Sequence, residues 1–148
     1  MNNYVETTKY VCSKLDHQDL INKIKIVESK LYRYSYIYPV IGVVNYDIVK
    51  KSKHYKIVVY KSFEHLFYDI KVEVIKHELC HIIDVHNNDN DICIENAGHG
   101  KTFKNLMHKI SCNKMSCNID DFQRLPYTLD TKKFKIIKKL SHTYGHYE

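Results

Sequence analysis

The chain has 148 residues, of which 44% are hydrophobic and 27% charged, values that are ordinary for one globular domain. No run approaches the roughly 18 apolar residues that a membrane-spanning helix needs. The N-terminus, MNNYVETTKY, has neither the basic start nor the apolar core of a secretory signal. We therefore predict a single domain over residues 1–148 that is intracellular, in the nucleus or the cytoplasm, and has no membrane role.

The charge and the cysteines narrow the function classes. A formal charge of +6 is compatible with an anionic partner such as nucleic acid, although many unrelated proteins are equally basic. The cysteines are odd in number and scattered, and no Cys-x-x-Cys occurs, so neither a disulfide framework nor a zinc ribbon is indicated. We predict reduced thiols at all five positions. They are Cys12, Cys80, Cys93, Cys112 and Cys117.

An apolar stripe predicts the first helix of the chain. Four apolar residues recur at spacings of four, three and four, as on one face of a helix. They are Leu20, Ile24, Val27 and Leu31. We predict a helix over about residues 16–33, with Asp16 as a candidate N-cap.

Two strands are predicted after this helix. YSYIYPVIGVVNY (34–46) is rich in β-branched and aromatic residues, and Pro39 within it indicates an edge or the start of a strand. HYKIVVY (54–60) predicts a second strand, joined to the first by the basic turn KKSK. With helices on either side, these strands predict an α+β fold with a small sheet.

Two further helices are predicted in the second half of the chain. Over about residues 69–86 the apolar period is helical, and the helix should stop at 87–88 because NNDND is dense in helix-ending residues. Another helix is predicted from Thr102, its candidate N-cap, to about residue 110. The apolar stripes are Ile75, Leu79 and Ile82, widened by Val72 and Ile83, on the first helix, and Phe103, Leu106, Met107 and Ile110 on the second.

The segment HELCH (77–81) carries the main candidate site. On a helix His77 and His81 lie one turn apart on one face, so that both imidazoles can reach one ion at about 2.0–2.1 Å. Glu78 is rotated about 100° from His77 and can act as general base for a water molecule beside that ion. The two histidines lie roughly opposite the apolar stripe. A chain with ten histidines can contain such a pentamer by chance. A third ligand at a suitable position would distinguish a zinc site from an accident of composition.

Five downstream residues are candidates for the third ligand: His86, Asp89, Asp91, Glu95 and His99. His86 points away from the motif pair, and we interpret it as an ordinary helix-end histidine. Glu95 can serve, as in proteases whose third zinc ligand is a glutamate, but those proteases usually place it on a following helix, whereas Glu95 lies in the loop-like stretch ENAGHG. His99 lies between two glycines that let the backbone bring its imidazole close to the first helix. We choose His99.

Three neighbouring residues have smaller roles in this interpretation. Asp84, one turn after His81, either orients a ligand imidazole or is a plain surface residue. His108 is interpreted as a surface residue of the last helix. Cys80, at the flank of the apolar stripe, is expected to pack in the core.

The order of KHELCH, NNDND and GHGKTFKNLMHKI resembles the SprT-like metalloprotease family over about residues 66–112. The resemblance implies a zincin-like α+β core and a DNA-associated zinc protease that degrades proteins trapped covalently on DNA. Carried over to this sequence, it makes His77, His81 and His99 the ligands of Zn²⁺. It makes Glu78 the catalytic base and acid.

The sequence departs from the family pattern after the protease core. Only two cysteines lie in its last third, so the cysteine-rich zinc-binding subdomain common in the family is not expected before the basic tail (about 130–148). Any DNA contact would then fall to the basic segments 50–56 and 132–139, whose interleaved aromatic residues can stack on exposed bases. The alternative is that these lysines are simply solvated.

Three function classes remain open. The leading hypothesis is a zinc endopeptidase that cleaves DNA-bound or DNA-crosslinked proteins, with Glu78 as general base. The alternatives are a zinc peptidase or hydrolase without a DNA role, and a non-catalytic zinc-stabilised module that binds DNA or protein. The motif glutamate argues against the last class, because a purely structural zinc site needs no base.

Overall fold

The computed structural model describes residues 4–32, 34–35, 38–39, 42–47, 54–87 and 99–124, and its elements confirm the predicted α+β class. The helices are α1 (Val5–Lys14), α2 (Tyr68–Asn87) and α3 (Lys101–Lys109). The strands are β1 (Ile24–Glu28), β2 (Tyr34–Ser35), β3 (Tyr38–Pro39), β4 (Gly42–Asp47) and β5 (His54–Val59). Short 3₁₀ helices cover Gln18–Lys23, Lys61–His65 and Ile119–Asp121. Within the described ranges, no helix combines the length and the apolar character needed to cross a membrane.

The N-terminal helix lies earlier in the chain than predicted. α1 ends before Asp16, which has a left-handed backbone with a φ of 60°, and a 3₁₀ helix then leads into β1. The predicted helix over 16–33, with Asp16 as its cap, is therefore wrong. Leu20 is buried in the 3₁₀ helix, whereas Leu31, the last residue of the predicted stripe, is 72% exposed. The helical spacing was a coincidence among residues of a 3₁₀ helix, of β1 and of the segment after β1.

The main sheet has the strand order β1-β5-β4. The central strand β5 pairs in parallel with β1 and antiparallel with β4. Tyr55, Ile57 and Val59 are buried and alternate with more exposed neighbours, so one face of β5 packs on the core. The strand predicted over 54–60 is confirmed.

The strand predicted over 34–46 is wrong as a single element. β2 and β3 form a separate two-stranded antiparallel sheet, and β4 joins the main sheet. Pro39 ends β3, and in a two-stranded sheet each strand is an edge, which is where proline is tolerated. The predicted KKSK turn before β5 lies outside the described residues.

α2 is the central helix of the core and carries the HELCH motif. Its range confirms the predicted helix over about residues 69–86, and the NNDND segment predicted to end it lies outside the described residues from position 88 onward. The predicted apolar stripe is buried, and α1, α3, β4 and β5 all contact this helix. Because neighbours cover α2 on several sides, the face opposite the stripe is buried as well.

α3 begins at Lys101, directly after Gly100, which occupies the N-cap position with an extended backbone. The predicted cap at Thr102 is wrong, since Thr102 is the second residue of the helix and the N-cap residue makes no side-chain cap hydrogen bond. The predicted buried face is confirmed for Phe103, Leu106, Met107 and Ile110. α3 packs against α2 and thereby fixes the position of the residues just before it.

Candidate metal centre

Three histidine side chains meet between α2 and the start of α3. His77 and His81 lie one turn apart on α2, and His99 lies two residues before α3. The Nε2 atoms of His77 and His81 are 3.0 Å apart, and each lies 3.1 Å from Nε2 of His99. In the part of the chain that the structure describes, these three residues form the only group of His, Cys, Asp or Glu side chains placed to hold a metal ion. The structure thus brings the three predicted ligands together.

The three nitrogens have the spacing of ligands on one ion. Nitrogens bound tetrahedrally at about 2.0–2.1 Å from zinc lie about 3.3 Å from one another. The observed separations of 3.0 to 3.1 Å are close to that value. Three mutual Nε2···Nε2 contacts cannot all be hydrogen bonds, because a ring nitrogen of neutral imidazole either donates or accepts and does not do both. Among three such atoms, at least two therefore have the same role. The donor set therefore fits a metal ion.

The tautomer of His77 follows from the partner of its second ring nitrogen. Nδ1 lies 2.8 Å from the carbonyl oxygen of Lys114. A carbonyl oxygen only accepts, so Nδ1–H donates to it, and the neutral ring then keeps its lone pair on Nε2. Nε2 is the nitrogen that faces the other two histidines. The Lys114 carbonyl thus orients His77 in the way that outer partners orient metal-binding histidines.

Burial keeps His81 in the form that binds metals. His77 is 0% and His81 2% exposed, and His99 is half-buried. The pKa of His81 is lowered well below its ordinary value, first by burial and then by the charge of nearby His99. Metal binding requires neutral imidazole, so this shift keeps His81 available as a ligand at neutral pH.

Phe103 packs against all three imidazoles. Its ring stacks on His81, with centroids 4.1 Å apart and an interplanar angle of 20°. It makes edge contacts with His77 and His99 at centroid distances of 4.9 and 5.1 Å. Because Phe103 is fully buried on the first turn of α3, it excludes water from one side of the cluster and couples α3 to the ligand geometry.

Glu78 follows His77 on α2 and is fully buried. Helical geometry rotates its side chain about 100° from that of His77. It lies outside the compact group of three imidazoles. A buried carboxylate beside a cation site can take up and release a proton there. Its role as general base stays a prediction.

None of the other sequence candidates that the structure describes belongs to the three-histidine group. His86, predicted to be an ordinary helix-end residue, has its Nδ1 3.1 Å from the Tyr55 hydroxyl and its ring against His17. Asp84 is 3% exposed, so its interpretation as a surface residue is wrong, and the orienting role stays a prediction. His108 is exposed, as predicted. Asp89, Asp91 and Glu95 lie outside the described residues.

The cysteines also follow the prediction in the described ranges. Cys12, Cys80, Cys112 and Cys117 are buried free thiols, and Cys93 lies outside those ranges. Burial is the main cause that raises the pKa of each of the four thiols. Cys80 packs in the core as expected.

Sequence reasoning missed the loop that supports His77. The contact to the Lys114 carbonyl joins residues 37 positions apart. Every residue has a backbone carbonyl, so the sequence contains no signal for this particular one.

A comparison with protein-family models identifies the chain. The model of the SprT-like family matches residues 46–129, which is more than half of the 148 residues. The chain belongs to the SprT-like family. The matched range contains α2, His99 and α3, so the family match and the three-histidine cluster coincide. No curated protein and no solved structure matches the chain significantly.

The SprT-like match also extends beyond the region that the motifs covered. It includes β5 and the segment after α3 with Lys114, both outside the HELCH and GHGKTF motifs. α1 and β1 precede the matched range. The three-histidine cluster and the Lys114 carbonyl that supports it therefore both lie within the residues that the family model matches.

Proposed function

We propose that this SprT-like protein is a zinc-dependent endopeptidase. The observation that carries the proposal is the convergence of three Nε2 atoms within 3.0 to 3.1 Å of one another. Three neutral imidazoles with a fourth position left for water or substrate form the donor set of catalytic zinc sites. Family membership favours zinc among the metals that imidazole binds, and peptide hydrolysis among the reactions that zinc supports.

The chain's own residues would divide the work. His77, His81 and His99 would hold the ion, which when bound lowers the pKa of a water molecule and polarises a carbonyl. Glu78 would accept the proton of the attacking water and later donate it to the departing amine. Phe103 would keep the imidazoles ordered and dry on the α3 side.

For the substrate, we propose proteins that are bound or crosslinked to DNA. Support comes from the resemblance to the SprT-like family and from the formal charge of +6. The basic segments 50–56 and 132–139, to which we assign the DNA contact, lie outside the described residues except for the start of β5.

Metal analysis of purified variants tests the ligand assignment. We expect one equivalent of zinc in the wild type and clear loss of zinc in His99→Ala, because two imidazoles hold the ion less tightly than three. His108→Ala is the matched control, since His108 is an exposed histidine on α3. Full zinc occupancy in His99→Ala would show that the third ligand is wrong.

Proteolysis assays test the chemistry separately from the metal. We expect Glu78→Gln to keep its zinc and to lose about 100-fold or more of the activity, the usual contribution of a general base. Glu73→Gln, on the same helix but ion-paired with Lys76, should remain active. Equal activity of Glu78→Gln and wild type would refute the assigned base.

The DNA role is tested with an unstructured protein substrate that binds DNA, with and without DNA. We expect DNA to increase the cleavage rate, since it would bring enzyme and DNA-bound substrate together. Equal cleavage without DNA would refute the DNA-dependent part of the proposal and leave a plain zinc peptidase.

A further inference from the structure

The segment after α3, which we call the 112–122 loop, packs along α2 and contacts the residue just before it. The thiol of Cys112 donates to the carbonyl oxygen of Glu73 at 3.6 Å. The Lys114 carbonyl accepts from His77 Nδ1 at 2.8 Å. The carbonyl of Asp121 accepts from the backbone N–H of Phe67, just before α2, at 3.1 Å. The loop thus lies against the helix that carries two of the three histidines.

Asp121 links two other residues of this loop through its carboxylate. Its two carboxylate oxygens lie 3.0 and 2.9 Å from Nζ of Lys114. One of them also accepts from the backbone N–H of Asn118 at 2.8 Å. Asp121 is 7% exposed. Charge-assisted hydrogen bonds shielded from water are stronger than exposed ion pairs, so they hold the Lys114 segment firmly.

Lys114 is therefore held through both its side chain and its backbone carbonyl. Its side chain is fixed by Asp121, and its carbonyl is the acceptor that sets the tautomer and orientation of His77. If the side chain were released, the segment could turn its carbonyl away. Nδ1 of His77 would then lose its acceptor, and the proton could move to the nitrogen that faces the cluster.

We infer that Asp121 is a positioning residue of the metal centre, acting through Lys114 on His77. The inference rests on the proposed zinc function and assigns to the loop a role in metal affinity. Asp121 does not touch the cluster itself. Its carboxylate orders the loop, the loop presents one carbonyl, and that carbonyl keeps Nε2 of His77 free to bind.

Zinc affinity, measured by competition with a chromophoric chelator, tests this assignment without an activity assay. We expect Asp121→Ala and Lys114→Ala each to weaken zinc binding about tenfold, the lower end of the effect of losing an outer partner. The double variant should be no weaker than either single variant, since both break the same ion pair. Glu6→Gln, which breaks the exposed Glu6–Lys9 ion pair on α1, is the control and should bind like the wild type.

A second readout separates positioning from mere folding. In ¹H–¹⁵N spectra of the zinc-loaded wild type we expect a His77 Nδ1–H resonance that is protected from exchange with water. In Asp121→Ala this resonance should exchange rapidly. If Asp121→Ala does not fold, Asp121→Asn, which keeps one acceptor oxygen, should show a smaller loss of affinity of the same kind.

Several results would overturn the inference. They are unchanged zinc affinity in the Asp121 variants, a loss of stability without a loss of affinity, and additive effects in the double variant. Failure of the metal proposal looks different, because the wild type would then bind no stoichiometric zinc or His77→Ala would bind as well as it does. Failure of the metal proposal would overturn both that proposal and the inference about Asp121. The three results for the Asp121 and double variants would overturn only the inference and leave the proposed zinc site intact.

Discussion

Phe103→Leu is the sharpest test of how packing orders the three histidines that we propose as zinc ligands. Phe103 is fully buried and contacts the rings of His77, His81 and His99. Truncation to alanine would cost about 3–5 kcal/mol, a large part of the roughly 5–15 kcal/mol of a whole domain. Leucine keeps an apolar side chain in the same place and removes the planar ring.

The magnitude follows from the three lost ring contacts. Aromatic pairs contribute about 0.5–1.5 kcal/mol each beyond the buried area. Because leucine retains part of the dispersion contact, we expect the free energy of unfolding without zinc to fall by about 1–2 kcal/mol. The imidazoles would also be less ordered before binding, and ordering them on binding lowers affinity. We expect the zinc dissociation constant to rise by up to about tenfold, since about 1.4 kcal/mol is a factor of ten.

Urea unfolding in excess chelator and chelator competition measure the two effects separately. Phe63→Leu is the matched control, because Phe63 is an equally buried phenylalanine that packs on Tyr4. It should lower stability by a similar amount and leave zinc affinity unchanged. If both variants bind zinc like the wild type, Phe103 is an ordinary core residue and the packing argument is wrong.

Two further predictions concern titration and thiol chemistry. Burial first, and then the charge of Arg124, lowers the pKa of His65, whose Nδ1 accepts from Arg124 Nε at 2.8 Å. The unfolded chain therefore binds a proton that the folded chain refuses, and stability present above about pH 6.5 should fall as the pH decreases below it. Urea titrations at pH 7.5 and about 5.5 in chelator should show a smaller loss for His65→Gln, and an equal loss would contradict the assignment. In Cys93→Ser, the remaining four thiols should react with a disulfide reagent only as the protein unfolds, because burial raises the pKa of Cys12 to about 11 and those of Cys112 and Cys117 to about 12. Rapid labelling of the native variant would contradict this.

The parts of the fold that the sequence predicted are those specified by strong local patterns. α2 has a long apolar period and a dense stop signal, and β5 has β-branched residues in alternation. The predicted helix over 16–33 failed because Ile24 and Ile26 fit a strand as well as Leu20, Ile24 and Val27 fit a helix. Parallel pairing with β5, where Ile26 lies opposite Ile57, decides between the two, and no local window contains that partner.

In the candidate site, too, the sequence predicted the residues that a local motif specifies and missed a long-range contact. The histidines and the glutamate are side chains that a motif can specify, and helical geometry alone brings His77 and His81 to one face. The third histidine could be chosen because two glycines and a following helix constrain it. The hydrogen bond that orients His77 could not be predicted, because its acceptor is a backbone carbonyl 37 residues away.

The burial of the HELCH face links the proposed metal site to the hydrophobic core. The apolar stripe of α2 and the histidine face are both buried, so that moving the helix disturbs core and cluster together. Three imidazole nitrogens that converge in this interior repel one another unless a cation or a proton lies among them, and burial disfavours the proton at His81. A metal ion that binds only the folded chain must then stabilise the whole domain. In the proposed zinc site, metal affinity and fold stability are therefore linked through α2, with Phe103 on one side of the cluster and the 112–122 loop at His77.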